Sequence, residues 1–249
     1  ARELAELGAV YDSGALSNRN LIINGAMQVA QRGTSTTAST FTAFSSPDCF
    51  KFQNNKNSDS VVSQVSDAPD GFNYSLKITV GTGATPSGSD FARLYHRNEG
   101  FDAKVFNLGS SSSKAITLSF YVKSSLTGTF GVTFAGDGNG SFVSSYVINS
   151  ANTWEFKTVS IPAGVWTTYN GSTTNGIGFQ VAFDLGEGPD RSSAAGYSAS
   201  VSSGSMGLTG GTKLIATSSA TWQLTGVQLE VGTEATPFEH RSFDDEEQR

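Results

Sequence analysis

The sequence predicts an all-β protein, an antiparallel β-sandwich with a short N-terminal helical stem. Three observations predict it. Apolar and polar residues alternate over one short stretch after another, the pattern of strands with one face on a core and one in water. The 28 glycines and many Ser and Thr residues suit tight turns. A charged fraction of only 15%, beside 17 phenylalanines, suits short strands better than amphipathic helices.

Residues 1–7 (ARELAEL) are strong helix formers with Leu4 and Leu7 three apart, and Gly8 stands where a helix would stop. Seven residues cannot hold a helix alone, because isolated helices below ~12–15 residues are marginal in water. The stem is therefore expected to lean on something. Either it is the end of a parallel coiled coil, with Leu4 and Leu7 as oligomerisation contacts, or it is a turn of helix packed on the sandwich. We divide the chain into a stem and linker over 1–19 and a sandwich head over 20–249. A smaller N-terminal β unit ending near Ser113, with GSSSSK as linker, is the alternative.

Leu21-Ile22-Ile23 reads as a short strand, followed by the tight-turn pair Asn24-Gly25. Phe50 and Phe52 come next. From Phe72 to Val80 five apolar residues recur at period two, so one face must be buried. The alternation is most regular after Ala115. Ile116 to Val122, Phe130 to Phe134 and Phe142 to Ile148 each read as strands, with a turn at Asp137-Gly138-Asn139-Gly140. Trp154 and Phe156 begin another, which changes face before Val159 and Ile161, and Ile177 to Leu185 alternates without a fault.

The stretch from Trp222 to Glu247 closes the sandwich. Trp222 and Leu224 share one face; after Gly226 the apolar positions become Val227, Leu229 and Val231. That change of parity requires a bulge, and glycine is the easiest place for one. Phe238 and Phe243 are expected as further anchors, and five acids between Glu239 and Glu247 as a solvated end.

A net charge of -6 and pI of about 4.9 leave no basic footprint, so nucleic acid is excluded as a partner class. No apolar run approaches the ~20 residues of a membrane span, and no charged-then-apolar leader opens the sequence. The single Cys49 permits no intrachain disulfide and reads, in DCFKF, as a small buried apolar residue.

Catalytic residue types are scarce. His96 and His240 are the two histidines, no serine sits in a GxSxG elbow, and no acid lies isolated in an apolar window, so no catalytic residues are assigned. Asp184, Glu187 and Asp190, in one acidic loop, could supply oxygens to a structural calcium, although no defined calcium loop is present. A solvated turn is the plainer reading, and no other cofactor is expected. Trp166, Tyr169 and Asn170, in GVWTTYNGSTTNG, and Tyr197, in AAGYSASVSSGS, lie between strands. An aromatic face flanked by amides and hydroxyls is what a sugar ring needs; equally, these rings could fold back as lids on the sandwich.

NRNLIINGAMQVAQRGTS (18–35), ITLSFYVKSSLTGTFGV (116–132), ANTWEFKTVSIP (151–162) and LTGVQLEVGTEATPFEHRSF (224–243) together resemble bacteriophage tail-fibre and virion-fibre proteins. The last block is the most specific, with Gly226, Glu230, Gly232, Thr236, Pro237, Phe238, Glu239 and His240 standing as in that family. Its terminal tail with Cys and tyrosines is not in this sequence. The resemblance implies a jelly-roll head like a carbohydrate-binding module and a virion part at a fibre tip, assembled in the host cytoplasm. It further implies a homotrimer that contacts other virion proteins and a host surface polysaccharide or glycan. A head or tail surface protein that binds only phage proteins, or a depolymerase fragment, are the alternatives.

Overall fold

The computed structural model describes residues 19–37, 43–44, 47–57, 59–136, 140–169, 171–198 and 205–248. The stem expectation at Leu4 and Leu7 lies outside them. The strands begin β1 (Ser35–Thr37), β2 (Ala43–Phe44), β3 (Phe50–Asn54), β4 (Val61–Val65), β5 (Ser75–Thr79) and β6 (Ala92–Glu99). They continue with β7 (Ile116–Ser124), β8 (Gly128–Ala135), β9 (Ser141–Ile148), β10 (Glu155–Ile161) and β11 (Ile177–Asp184). The last are β12 (Ser192–Ser193), β13 (Gly196–Ser198), β14 (Gly207–Leu208) and β15 (Thr221–Val231). Two helices are short, α1 (Gly100–Ala103) and α2 (Phe243–Glu247). No helix among the described residues is long and apolar enough to cross a membrane.

The strands form an antiparallel β-sandwich. One sheet has the order β1-β4-β5-β15-β7-β10 and the other β13-β9-β8-β11-β6-β3-β2; a small parallel pair, β12 with β14, lies apart. Each sheet joins a block of strands from before Ser113 to a block from after it, and the chain passes between sheets from β7 to β8 and from β9 to β10. The inner faces meet in one core. Phe120 of β7 packs edge-on against Tyr146 of β9 and Phe183 of β11, with ring centroids 5.1 Å from each. Trp222 of β15 lies 5.4 Å from Phe183 and donates its indole N–H to the Tyr146 hydroxyl at 3.2 Å. Each ring at this junction occupies an alternating position of its strand, so period-two patterning became core directly.

The bulge is where the parity change required it. Opposite β7, the β15 register slips between Thr225 and Gln228, and Gly226 adopts φ +61°. The terminal strand does not close an edge, however; it lies in the middle of its sheet. Beyond the bulge β5 no longer pairs with it, so β5 begins at Ser75 rather than at Phe72.

Residues 20–25 take over beside the second half of β15, as an irregular segment and not the expected strand. Leu21 N–H donates to Leu229 O at 2.9 Å, and Val227 N–H to Gly25 O at 3.0 Å. The Asn20 amide satisfies the bulge on both sides, donating to Val227 O and accepting from Leu229 N–H, each at 3.0 Å. A Cβ on Gly25 would stand 2.2 Å from Val227 O, so this approach requires glycine.

The block QLEVGTEATPFEHR builds a clasp on this seam. Glu230 accepts from the Gln228 amide at 3.0 Å and from Thr236 N–H at 2.9 Å, and Gln228 accepts from Glu239 N–H at 2.8 Å. Glu239 receives Asn20 N–H at 2.8 Å, and Arg241 donates to Asn20 O at 2.7 Å. Glu239 is thus tied down rather than solvated. Phe243, expected as an anchor, is 47% exposed.

Two further expectations change. Cys49 is exposed at φ +71°, because it sits in the turn before β3 while Phe50 and Phe52 take the inward positions. The β10 register runs unbroken, so Phe156 does not change face but stays on the outside, 50% exposed.

Candidate functional site

A cavity of about 480 Å³ lies where the segment after Asn24, α2 and the strands β3 and β6 meet. Asn24, at φ +58°, turns the chain. Its side chain then clamps the loop, donating to Val29 O at 2.9 Å and Asp48 O at 3.0 Å and accepting from Val29 N–H at 2.9 Å. Such side-chain bonds to nearby backbone are why Asn favours turns. On the far wall Ser242 caps α2, accepting from Asp245 N–H at 3.1 Å. Glu246 then accepts Asn24 N–H at 2.6 Å, and Glu247 accepts from the Gln31 amide at 3.0 Å.

The floor comes from outward positions of the seven-stranded sheet. Lys51 of β3 pairs with Tyr95 of β6, and Val181 and Ala182 of β11 lie beside His96 and Tyr95. Ile23 N–H donates to His96 Nε2 at 3.1 Å. The Arg97 guanidinium lies 4.6 Å from the Tyr95 ring centroid and donates to Gln180 Oε1 at 3.3 Å. Tyr95 is 3% exposed, and its hydroxyl makes no hydrogen bond among the described residues. A buried hydroxyl without a partner is costly, and Tyr95 is one of the residues that line the cavity. Around an apolar floor of Val29 and Tyr95 the walls therefore offer amides, carboxylates and cations. That mixture can both donate to and accept from a polyhydroxylated ligand.

The residues expected to touch a sugar are elsewhere. Trp166 is 1% exposed, its ring centroid 5.6 Å from both Phe179 and Tyr197. Its face is shut inside the sandwich end, which corrects the glycan-contact expectation at this position in favour of the lid. Tyr169 and Tyr197 are half-buried. Tyr169 donates its hydroxyl to Gly178 O at 2.8 Å, and Tyr197 bonds the Thr168 backbone on both sides at 3.0 Å. Asn170 lies outside the described residues.

The calcium candidates do not converge. Asp184 is fully buried and its oxygens accept from Glu187 N–H at 2.8 Å, Leu208 N–H at 2.9 Å and Lys213 Nζ at 2.6 Å. Glu187 lies 3.2 Å from Arg93, and Asp190 is exposed. An ammonium ion and backbone amides thus stand where a cation would need oxygen. Among the described residues no group of three or more His, Cys, Asp or Glu could hold a metal.

Burial pushes Glu187 up to about 8 from 4.5, with Arg93 opposing the rise and Asp184 adding to it. Between those values the unfolded carboxyl has lost its proton while the folded one keeps it. Stability from this group is full below about pH 4.5 and is lost as pH rises towards 8. Denaturation midpoints should therefore fall between pH 5 and 8, and Glu187→Gln should flatten the slope. An identical slope in the variant would remove Glu187 as its source.

Sequence reading passed over Arg97 and Tyr95. The signal was present in ARLYHRNE, where Arg93, Tyr95 and Arg97 share one parity and Leu94 and His96 the other.

Neither a protein-family model nor a curated protein matches the sequence. Among solved structures, the chain is similar to the enzymatically active domain of tailspike protein 4 of bacteriophage CBA120, at 13% identity and TM-score 0.47. That match covers 86% of this chain and 22% of the tailspike chain. It is similar to the N-terminal cellulose-binding domain of Cellulomonas fimi β-1,4-glucanase C at 14% identity and TM-score 0.42, covering 80% of this chain and 100% of that one. It is also similar to TmCBM61 in complex with β-1,4-galactotriose, at 10% identity and TM-score 0.41, covering 86% of this chain and 100% of the other.

Proposed function

We propose that this chain is the head of a bacteriophage virion fibre, present as a homotrimer, and that the cavity over Tyr95 and Arg97 holds a host cell-surface glycan. The observation that carries the glycan reading is a cavity of about 480 Å³ lined by Tyr95 and Arg97, with the Arg97 guanidinium over the Tyr95 ring. A ligand that reaches the buried Tyr95 hydroxyl, unpartnered among the described residues, would give it the bond it lacks. The virion reading rests on the resemblance of the four sequence segments to phage fibre proteins, above all the block that forms the clasp. Binding without turnover agrees with the shortage of catalytic residue types in the sequence. One sugar site binds weakly, but linked copies can raise avidity by ~10²–10⁴ without new contacts.

Titration calorimetry with host surface polysaccharide fragments tests this. Tyr95→Phe should weaken each site about 2–10-fold, the worth of one neutral hydrogen bond, and Arg97→Ala should weaken it further. Equal affinity in both variants would move the ligand away from this cavity. A wild-type chain that ignores every host glycan yet adheres to other phage proteins would favour a purely structural virion part, and release of reducing sugar would favour a depolymerase.

A further inference from the structure

We propose that the buried ion pair of Asp184 and Lys213 condenses within the folded chain to an amide, a covalent bridge between the end of β11 and the segment that leads into β15. The setting of the pair is the observation. Lys213 Nζ lies 2.6 Å from Asp184 Oδ2, the Asp184 side chain is fully buried and that of Lys213 is mostly so. Backbone grips the carboxyl at both oxygens. Oδ1 accepts from Gly186 N–H at 3.0 Å and Glu187 N–H at 2.8 Å, and Oδ2 accepts from Leu208 N–H at 2.9 Å. Two N–H donors on one oxygen are what an oxyanion hole supplies to acyl transfer, and here they stand in place before any attack. Contact between amine and carboxyl likewise makes an intramolecular step of a bimolecular one.

A third side chain completes the site. Glu187 and Lys213 line one cleft of about 270 Å³. The Glu187 carboxyl is buried and neither of its oxygens has a hydrogen-bond partner among the described residues, although Arg93 lies 3.2 Å away. Burial pushes it up to about 8, so at neutral pH it holds a proton that it can give and take back. The reaction starts when one proton passes from the Lys213 ammonium to Asp184 Oδ2, leaving an amine and a carboxylic acid. The amine lone pair attacks Asp184 Cγ, and negative charge develops on Oδ1, against the Gly186 and Glu187 N–H groups. Glu187 then protonates the Oδ2 hydroxyl, which leaves as water as the Cγ–Oδ2 bond breaks, and Glu187 regains a proton from Nζ. An Nζ–Cγ bond has replaced the Cγ–Oδ2 bond. Ammonium plus carboxylate becomes amide plus one water, with no oxidant or co-reactant.

Intact-mass spectrometry of the purified full chain, followed by peptide mapping, tests the inference. Wild type should be lighter than its sequence by one water, and digestion should release one branched peptide that joins Asp184 to Lys213. Lys213→Arg should show its full sequence mass, because a guanidinium keeps the charge beside Asp184 but stays protonated and cannot attack. Followed from cell-free synthesis, Glu187→Gln should form the bridge about 10²-fold more slowly or worse, the usual worth of a positioned acid–base group. A wild-type chain at its full sequence mass, or a lost water that maps to other residues, would overturn the bridge whether or not the variants fold. Bridging at the wild-type rate in Glu187→Gln would overturn the proton transfers assigned to that carboxyl.

Discussion

Trp166→Ala is expected to lower the free energy of unfolding by about 3–5 kcal/mol, the usual cost of truncating a buried Trp or Phe. The ring lies between Phe179 and Tyr197, and Gly109 N–H donates to Trp166 O at 3.0 Å, so its neighbours are held from several sides and can collapse only partly. Guanidinium denaturation should show a shifted midpoint at nearly constant slope. Trp166→Phe should cost much less, since it keeps the packing and removes an indole N–H that has no acceptor among the described residues. A loss below 1 kcal/mol in Trp166→Ala, accompanied by weaker glycan binding, would reinstate this residue as a sugar contact.

Gly226→Ala is expected to cost about 2–5 kcal/mol. Left-handed backbone alone costs an L-residue about 1–2 kcal/mol, and overpacking typically adds about 1–3 kcal/mol. Both apply, for φ is +61° and an added Cβ would stand 2.7 Å from Phe72 Cζ and 3.0 Å from Tyr121 Cδ2. Those rings are aromatic chromophores, so the near-ultraviolet dichroism of the folded variant should change as well. Wild-type stability in Gly226→Ala would mean that the bulge relaxes freely, and the close fit between bulge and rings would no longer stand.

Strands β7, β8, β9 and β11 were legible because alternation is a local signal. Neighbours in sequence point to opposite faces, so the buried set of Ile177 to Leu185 announces itself without reference to any partner. The bulge was legible for the same reason, as a change of parity at Gly226. Phe156 misled because an outward aromatic followed by inward Val159 and Ile161 has the same parity signature as a strand that slips. Only the unbroken pairing with β7 distinguishes the two. Trp166 and Tyr197 could not be divided between lid and platform, since a loop aromatic in either role has the same polar neighbours in sequence.

The cavity was the least legible feature. Its walls come from residues about 200 positions apart, as in the Gln31 to Glu247 contact, and its floor from alternate residues of a strand whose other face had drawn attention. By itself the sequence determined the fold class, the core faces of the long strands, the bulge and the absence of a basic footprint, because each depends on the order of residues along one stretch. Tertiary structure alone decided that the last strand is central, that the clasp joins residue 20 to residue 241, and that Phe156 stays on the outside while Trp166 is shut inside. Those outcomes depend on which distant segments are neighbours, and a single sequence carries no separate signal for that.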